Sequence, residues 1–363
     1  MTDPTTLHRH VAAALDATPR RIPVVVGACG SGRTTLLRAL LQQRGSRACQ
    51  YVDVEQAATT PERFYRALIS TSPFRLAETR AINTPRDGFE AAVSYLTLAR
   101  TDSGQPATFL LDEVLEFRTF ESFPGLRKLL PGLFSALAAS ENAFVLTTRF
   151  THRAERLLRD PGTYMLVKMP PLDDRDIREE LTRRANGHAS AADLASFDTA
   201  HIVRALADGR AAYVTDICDE MAALAGDAGG DPISALTAVL ARYGRLSARC
   251  RFCYELRLHR ARGYGALKAI LDILAEENGL TLTEIAQRLH RTPGSTKDYL
   301  SWLEDVDLVA MNRKRYTFAD PLLRLWVRLH CRPVPPRDEE VAREVQRYAM
   351  ERLSQAPSVA IST

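Results

Sequence analysis

The sequence predicts an α/β protein: a parallel sheet covered by helices on both faces, then an all-helical stretch, then a small helix-and-hairpin unit. Three observations predict it. Short apolar runs rich in β-branched residues alternate with helical stretches from Ile22 to Lys168, a spacing that needs crossover connections and therefore parallel strands. After Pro170-Pro171 the strand pattern stops and only helical periodicity remains. Residues 264–318 carry their own start, cap and turn signals.

The elements follow in order. A short helix over Thr6–Leu15 ends near Pro19, and Ile22–Val26 is a buried strand. It enters a glycine-rich turn, Gly27–Gly32, and then a helix over Thr34–Gln43. Gln50–Val54 is a second strand, Pro61–Ser70 and Pro85–Arg100 are helices, and Pro106–Asp112 is a third strand. Gly125–Ser140 is a helix, Ala143–Thr148 a fourth strand and Thr163–Lys168 a fifth. Helices are expected over Asp173–Arg184, Ser190–Leu206 and Ala211–Leu224, a flexible break over Ala225–Pro232, and helices again from Ile233 to Ala261. One charged helix, Asp338–Leu353, is expected in the tail.

Composition sets the outer limits. The chain has 363 residues, which favours two or three domains, and its 45% hydrophobic and 25% charged residues are ordinary globular usage. Its longest apolar run, Ile22–Cys29, falls far short of the roughly 20 residues that span a bilayer. The polar N-terminus, broken by Pro4 and Pro19, does not read as a signal peptide, and 6 cysteines are too few for a disulfide scaffold, so a cytoplasmic, reducing location is expected. Net charge is only +4, but just five of the 48 basic residues are lysines. In so arginine-rich a chain, an arginine can stand where a lysine is usual.

That substitution occurs in the phosphate-binding motif. Gly27, Gly30, Ser31, Gly32, Arg33, Thr34 and Thr35 follow a strand and open a helix, with the spacing G-x-x-x-x-G-[K]-[ST]. Glycines let backbone N–H groups curl around phosphate oxygens, and the helix N-terminus adds a positive dipole. Thr34 is placed to offer its hydroxyl to Mg²⁺. Arg33 occupies the lysine position. The strand Phe109–Asp112 ends in two carboxylates, of which Asp112 suits the metal shell and Glu113 suits polarising a water. The next strand ends in Thr147-Thr148-Arg149.

In this order the three motifs resemble the P-loop ATPases of the AAA+ and STAND group. The resemblance implies ATP with Mg²⁺ as ligands, a sheet of order 5-1-4-3-2, a helical lid, and Arg149 as the residue that reads the γ-phosphate. It also asks for a second arginine in the lid, for which Arg210 is the nearest candidate.

The C-terminal unit reads as a winged helix-turn-helix. Its elements are a helix over Ala266–Glu277, a capping box at Thr281–Glu284 opening a second helix, and Thr292 capping a third with Pro293 at its first position. A hairpin follows, turning at Asn312-Arg313-Lys314. In this motif the third helix enters the major groove of double-stranded DNA. Ser295, Thr296, Lys297 and Tyr299 lie at its N-terminal end, Arg291 falls where DNA would sit, and Arg313, Lys314 and Arg315 on the hairpin suit phosphates or the minor groove. The unit resembles winged helices attached to archaeal-type ATPases. Before it, Arg242–Arg262 holds seven arginines and one acid, and Arg242, Arg245 and Arg249 are expected on one helical face. Cys250 and Cys253 have zinc-like spacing but no second pair, and Asp53 and Glu55 read as surface acids.

The expected organisation is a nucleotide-binding domain over 1–170, a lid over 171–228, a basic connector over 229–263, the winged helix over 264–332 and a charged tail over 333–363. The favoured function is an ATP-dependent switch, a slow ATPase coupled to duplex DNA. The alternatives are a non-hydrolysing scaffold whose winged helix binds protein, and an oligomeric motor that remodels DNA. Homo-oligomers or protein partners are compatible with all three, and no membrane role is expected.

Overall fold

The computed structural model describes residues 4–17, 20–74, 82–158, 160, 162–185, 195–224, 230–258, 261 and 263–355. The chain divides into two compact units, Met1–Ala28 with Gly32–Pro170, and Cys29–Ser31 with Pro171–Thr363. The expected break at 225–229, the start of the helix expected from Ser190, and His259, Arg260 and Arg262 lie outside the described residues.

The first unit is a five-stranded parallel sheet with helical crossovers. Its elements are α1 (Pro4–Asp16), β1 (Ile22–Val26), α2 (Arg33–Arg44), β2 (Cys49–Asp53), α3 (Val54–Ala57), α4 (Pro61–Ser70), α5 (Pro85–Leu98), β3 (Thr108–Asp112), α6 (Leu129–Ala139), β4 (Ala143–Thr148), α7 (Thr151–Leu157) and β5 (Tyr164–Lys168). The strand order is β2-β3-β4-β1-β5, the expected order 5-1-4-3-2 read from the other edge. Pairing of Val26 with Thr148 and of Asp53 with Asp112 brings the carboxyl ends of four strands level. Pro23 is tolerated in β1 because β4 pairs with it only from Val24 onward.

Local signals set several helix starts to the residue. Thr60 accepts from Arg63 N ahead of Pro61, and Thr84 with Asp87 closes a capping box ahead of Pro85. Gly88 lets α5 approach α4, since a Cβ there would lie 2.9 Å from Glu62 N. Between β3 and α6 a 3-10 stretch, Val114–Ser122, buries Phe117 and Phe120. The Phe117 ring meets Phe64 edge-on at 4.9 Å. The predicted helix from Gly125 begins only at Leu129, because this 3-10 stretch and its turn occupy the connection.

The second unit opens with α8 (Asp174–Ala185), α9 (Phe197–Ala207), α10 (Ala211–Leu224), α11 (Pro232–Leu240) and α12 (Arg245–Leu258). Then come α13 (Tyr264–Glu276), β6 (Leu280–Thr281), α14 (Leu282–Arg288), α15 (Pro293–Asp305), β7 (Val309–Asn312), β8 (Arg315–Phe318), α16 (Pro321–His330) and α17 (Asp338–Gln355). The helices expected over 233–261 are two, separated at Gly244, where a Cβ would come within 2.1 Å of Val239 O. Arg242 therefore precedes α12 and does not share a helical face with Arg245 and Arg249. The residues expected as a charged tail include α17, which buries Val341, Val345, Tyr348 and Ala349. Tyr348 Oη donates to Leu206 O at 2.8 Å.

Arg210 closes this unit from within. Its Nη1 lies 2.7 Å from Asp320 Oδ2, and Tyr213 Oη donates to the same oxygen at 2.7 Å. The other oxygen, Oδ1, accepts from Leu322 N and Leu323 N and so caps α16. Cys29–Ser31 group with this unit: Ala212 N donates to Gly30 O at 2.9 Å, and a Cβ on Gly30 (φ 76°) would meet Ala212 Cβ.

Candidate functional site

At the carboxyl edge of the first unit's sheet, β1, β3 and β4 deliver their polar ends to one place, the position where open α/β sheets bind ligands. Gly32 sits at φ 95°, a left-handed conformation that favours glycine, and leads straight into α2. Thr34 Oγ1 donates to Asp112 Oδ2 at 2.6 Å. Tyr51 Oη donates to the same oxygen at 2.9 Å, and Thr147 Oγ1 donates to Asp112 Oδ1. Burial first, and then the charge of Asp112, push the Tyr51 phenol up, so it remains a donor.

Glu113 stands beside Asp112 in a left-handed conformation, φ 57°, which turns it out of the strand direction. It is 7% exposed and lies between two arginines. Arg33 donates from Nη2 to Glu113 Oε1 and from Nη1 to the carbonyls of Gly27 and Ala28. On the other side Arg149 N donates to Glu113 Oε2 at 3.0 Å, with Arg149 Nε at 3.2 Å. Arg149 in turn pairs with Glu55. Burial alone would raise the Glu113 pKa, but Arg33 and Arg149 outweigh it and hold the carboxyl below its ordinary value. The result is a chain of alternating charge: Arg33, Glu113, Arg149, Glu55.

The structure thus brings together Gly27, Gly32, Arg33, Thr34, Asp112, Glu113 and Arg149. Thr35 is exposed on α2 and takes part in none of these bonds, while Gly30 and Ser31 group with the second unit. Reading Glu55 as a surface acid is corrected, because it is the outer partner of Arg149. Tyr51 carried no sequence signal beyond its place in β2. Arg210, the candidate for a second arginine, is committed to Asp320.

The oxygen donors of Thr34 and Asp112 suit a hard divalent cation such as Mg²⁺. The left-handed Gly32 leaves backbone at the loop free of side-chain bulk. These residues fit a magnesium nucleotide.

In the second unit, α13–α15 with the antiparallel sheet β6-β8-β7 make a winged helix-turn-helix. Thr292 Oγ1 accepts from Ser295 N at 3.4 Å and fixes the start of α15. Arg291 and Lys297 are exposed, and the guanidinium of Arg291 lies 5.7 Å from the Tyr299 ring centre. Tyr299 is half-buried and packs on Gly263, where a Cβ would lie 2.5 Å from its ring. Ser295 is half-buried and donates from Oγ to Thr292 O. Thr296 is a correction: it is fully buried and spends its hydroxyl on Thr292 O, so it belongs to the inner face of α15. Asp298 is an exposed acid beside Lys297 that dilutes the positive face.

At the wing, Arg313 (φ 49°) and Lys314 (φ 64°) form the two central residues of the turn between β7 and β8. Two positive φ angles make a hairpin turn that normally takes Asn-Gly. Both side chains are exposed, as is Arg315, whose Nη1 donates to Gly279 O at 2.7 Å. Replacing the pair with Arg313→Asn and Lys314→Gly should stabilise the hairpin by about 1–2 kcal/mol, the cost of holding a non-glycine residue left-handed. A higher melting temperature for the double variant checks this; a lower one shows that the basic pair is not strained there.

Comparison with known proteins agrees with this architecture. Residues 266–309 match the family described as winged helix-turn-helix DNA-binding. Among solved structures, the Walker-type ATPase PABY2304 of Pyrococcus abyssi superposes with a TM-score of 0.62 at 19% identity, covering 90% of this chain and 96% of that one. A mutant form of Thermotoga maritima RuvB gives a TM-score of 0.44 at 12% identity, covering 87% and 92%. The Drosophila ORC bound to DNA gives 0.41 at 11% identity, covering 85% and 90%. No curated protein matches the chain. The Pyrococcus superposition shows a shared fold, that of a Walker-type ATPase. Its C-terminal module is a winged helix-turn-helix. Among the described residues no helix is long and apolar enough to cross a membrane.

Proposed function

We propose that the protein is an ATP-binding switch with slow hydrolysis whose winged helix contacts duplex DNA. The observation that carries this reading is the position of Glu113, the water-orienting carboxylate, clamped between Arg33 and Arg149. A carboxylate held that way is anionic but occupied. It can accept from a water only when the guanidiniums turn toward another anion. Hydrolysis is then gated by rearrangement of this chain's own arginines, which suits a switch more than a fast motor.

Gly27–Thr34 would hold the phosphates, with Mg²⁺ on Thr34 and Asp112; the magnesium nucleotide supplies the anhydride to be cleaved and the charge that draws the arginines away. Arg33 attracts phosphate, but its planar fork bonds two loop carbonyls and Glu113, so its charge is poorly placed for a transition state. Arg149 moves from Glu113 to the terminal phosphate. Arg33→Lys should raise turnover by about 10-fold, since a misplacement of about 1 Å costs up to ~100-fold and a lysine can reach the phosphates while making fewer of the competing bonds. A steady-state assay decides this, and a loss of activity in Arg33→Lys shows a site built around arginine.

Two titrations test the whole reading. Calorimetry with ATP and Mg²⁺ should show binding, and its absence at millimolar nucleotide ends the switch proposal. Labelled duplex should bind with a salt dependence that falls on mutation. Lys297→Ala, Arg313→Ala and Lys314→Ala together should lower the slope of log K against log salt by about 0.9 for each phosphate that no longer has a cation beside it. An unchanged slope removes the winged helix as the DNA-binding surface.

A further inference from the structure

The arginines between 242 and 258 fall into two sets. Arg245 pairs with Asp219 at 3.1 Å, Arg249 pairs with Asp216 at 2.9 Å, and the buried Arg257 donates to Asp307 O at 3.0 Å. These three hold the unit together. Arg242 and Arg251 are exposed, and among the described residues neither has a carboxylate partner. Next to each is an aromatic ring turned to water: Tyr243 is 88% exposed and Phe252 61% exposed.

The two pairs belong to one surface. The Arg242 guanidinium lies 5.4 Å from the Tyr243 ring centre. His330, at the end of α16, lies with its Nε2 2.9 Å from Leu240 O, two residues before Arg242, and the charges of Arg242 and Arg251 both act on its ring. Burial first, and then the two cations, hold the His330 imidazole below its ordinary pKa, against the opposing effect of the bond to Leu240. Glu255, the one acid in this stretch, is engaged by Tyr264 Oη at 2.9 Å and by Lys268 at 3.4 Å.

Large rings left in water beside cations without counter-charges are poor folding choices but a good nucleic-acid surface. Unpaired bases stack on exposed rings and phosphates pair with guanidiniums, with little dependence on sequence. Duplex DNA offers no free base faces, so rings here have no use for it. The core of a protein interface is depleted in charge, whereas each ring here has an exposed arginine next to it in the chain.

We propose that Arg242, Tyr243, Arg251 and Phe252 form a binding surface for single-stranded DNA, separate from the recognition helix and wing. The protein then holds two DNA surfaces in one unit, one for duplex and one for an unpaired strand. This goes beyond the duplex-binding reading and stands or falls separately from it.

Fluorescence anisotropy of the full chain with labelled oligo-dT, and with a duplex of equal length, tests it. Tyr243→Ala with Phe252→Ala should weaken oligo-dT binding roughly 10-fold or more and leave duplex binding unchanged. Tyr243→Phe with Phe252→Trp should retain oligo-dT binding, because the rings remain. Arg242→Ala with Arg251→Ala should lower the salt slope for oligo-dT by about 1.4, at ~0.7 per phosphate on a single strand. The winged-helix triple variant should lose duplex and keep oligo-dT. Absence of oligo-dT binding by the wild type, or equal binding by the Tyr243→Ala, Phe252→Ala protein, overturns the proposal. Oligo-dT binding without duplex binding sinks the winged-helix reading and leaves this surface standing.

Discussion

Glu113→Gln should abolish ATP turnover, by about 100-fold or more, while nucleotide still binds. A positioned carboxylate acting on a water contributes about 10²–10⁴ in rate. The amide keeps the shape and loses the charge that orients the water. The same change should destabilise the nucleotide-free protein. Glu113 neutralises two buried guanidiniums, and removing one partner from a buried ionic cluster costs about 3–5 kcal/mol. Bound ATP should recover part of that loss, because its phosphates supply negative charge to the same arginines. The wild-type contribution also has a defined pH dependence. Since the native pKa of Glu113 lies below its ordinary value, its stabilisation is full above that ordinary value and disappears as pH falls through the native one. Thermal melts with and without ATP, together with a turnover assay, check all three points. A Glu113→Gln protein that still hydrolyses ATP places the water-orienting group elsewhere.

Arg210→Ala should cost about 3–5 kcal/mol, because Asp320 stays buried with only a phenol and two helix amides to satisfy it. The expected result is a large loss of melting temperature and faster hydrogen exchange over α16, with ATP affinity unchanged. If Arg210 instead served the nucleotide, affinity would fall and exchange over α16 would stay as in the wild type. Asp320→Asn offers a second view of the same pair: it keeps an acceptor for the α16 cap but leaves the buried Arg210 without a counter-charge, so its melting temperature should also fall while exchange over α16 rises less than in Arg210→Ala.

Much of this fold was legible in the sequence because its signals are local. Alternating strands and helices specify a parallel sheet, and the Thr-Pro and Thr-Pro-x-Asp starts of α4, α5 and α15 fix helix beginnings without tertiary information. The glycine-rich loop and the Asp112-Glu113 pair were legible because both lie at strand ends, where the chain positions them directly. The 3-10 stretch at 114–122 was not, since Phe117 and Phe120 follow a three-residue period that helical reading does not register. Nor was the Arg149–Glu55 pair, because it joins the ends of two strands whose proximity only the assembled sheet supplies. Charge counting failed in 242–258 for a related reason. Arg245, Arg249 and Arg257 look like Arg242 and Arg251 in sequence and differ only in what lies opposite. Thr296 illustrates the finer limit: one step along α15 separates an inward hydroxyl from the outward Lys297.

The Arg313-Lys314 turn at the wing has a consequence for anyone who would improve this protein. With the wing contacting DNA as proposed above, a screen for thermal tolerance and a screen for DNA retention would pull these two positions in opposite directions. Selection for stability alone would install Asn-Gly and discard two cations at the most projecting point of the hairpin. Selection for retention would keep the costly pair. A library varied only at these two positions, sorted once by each criterion, would give two different consensus turns from a single starting sequence, and the distance between them would measure how much folding energy the chain forgoes at its wing.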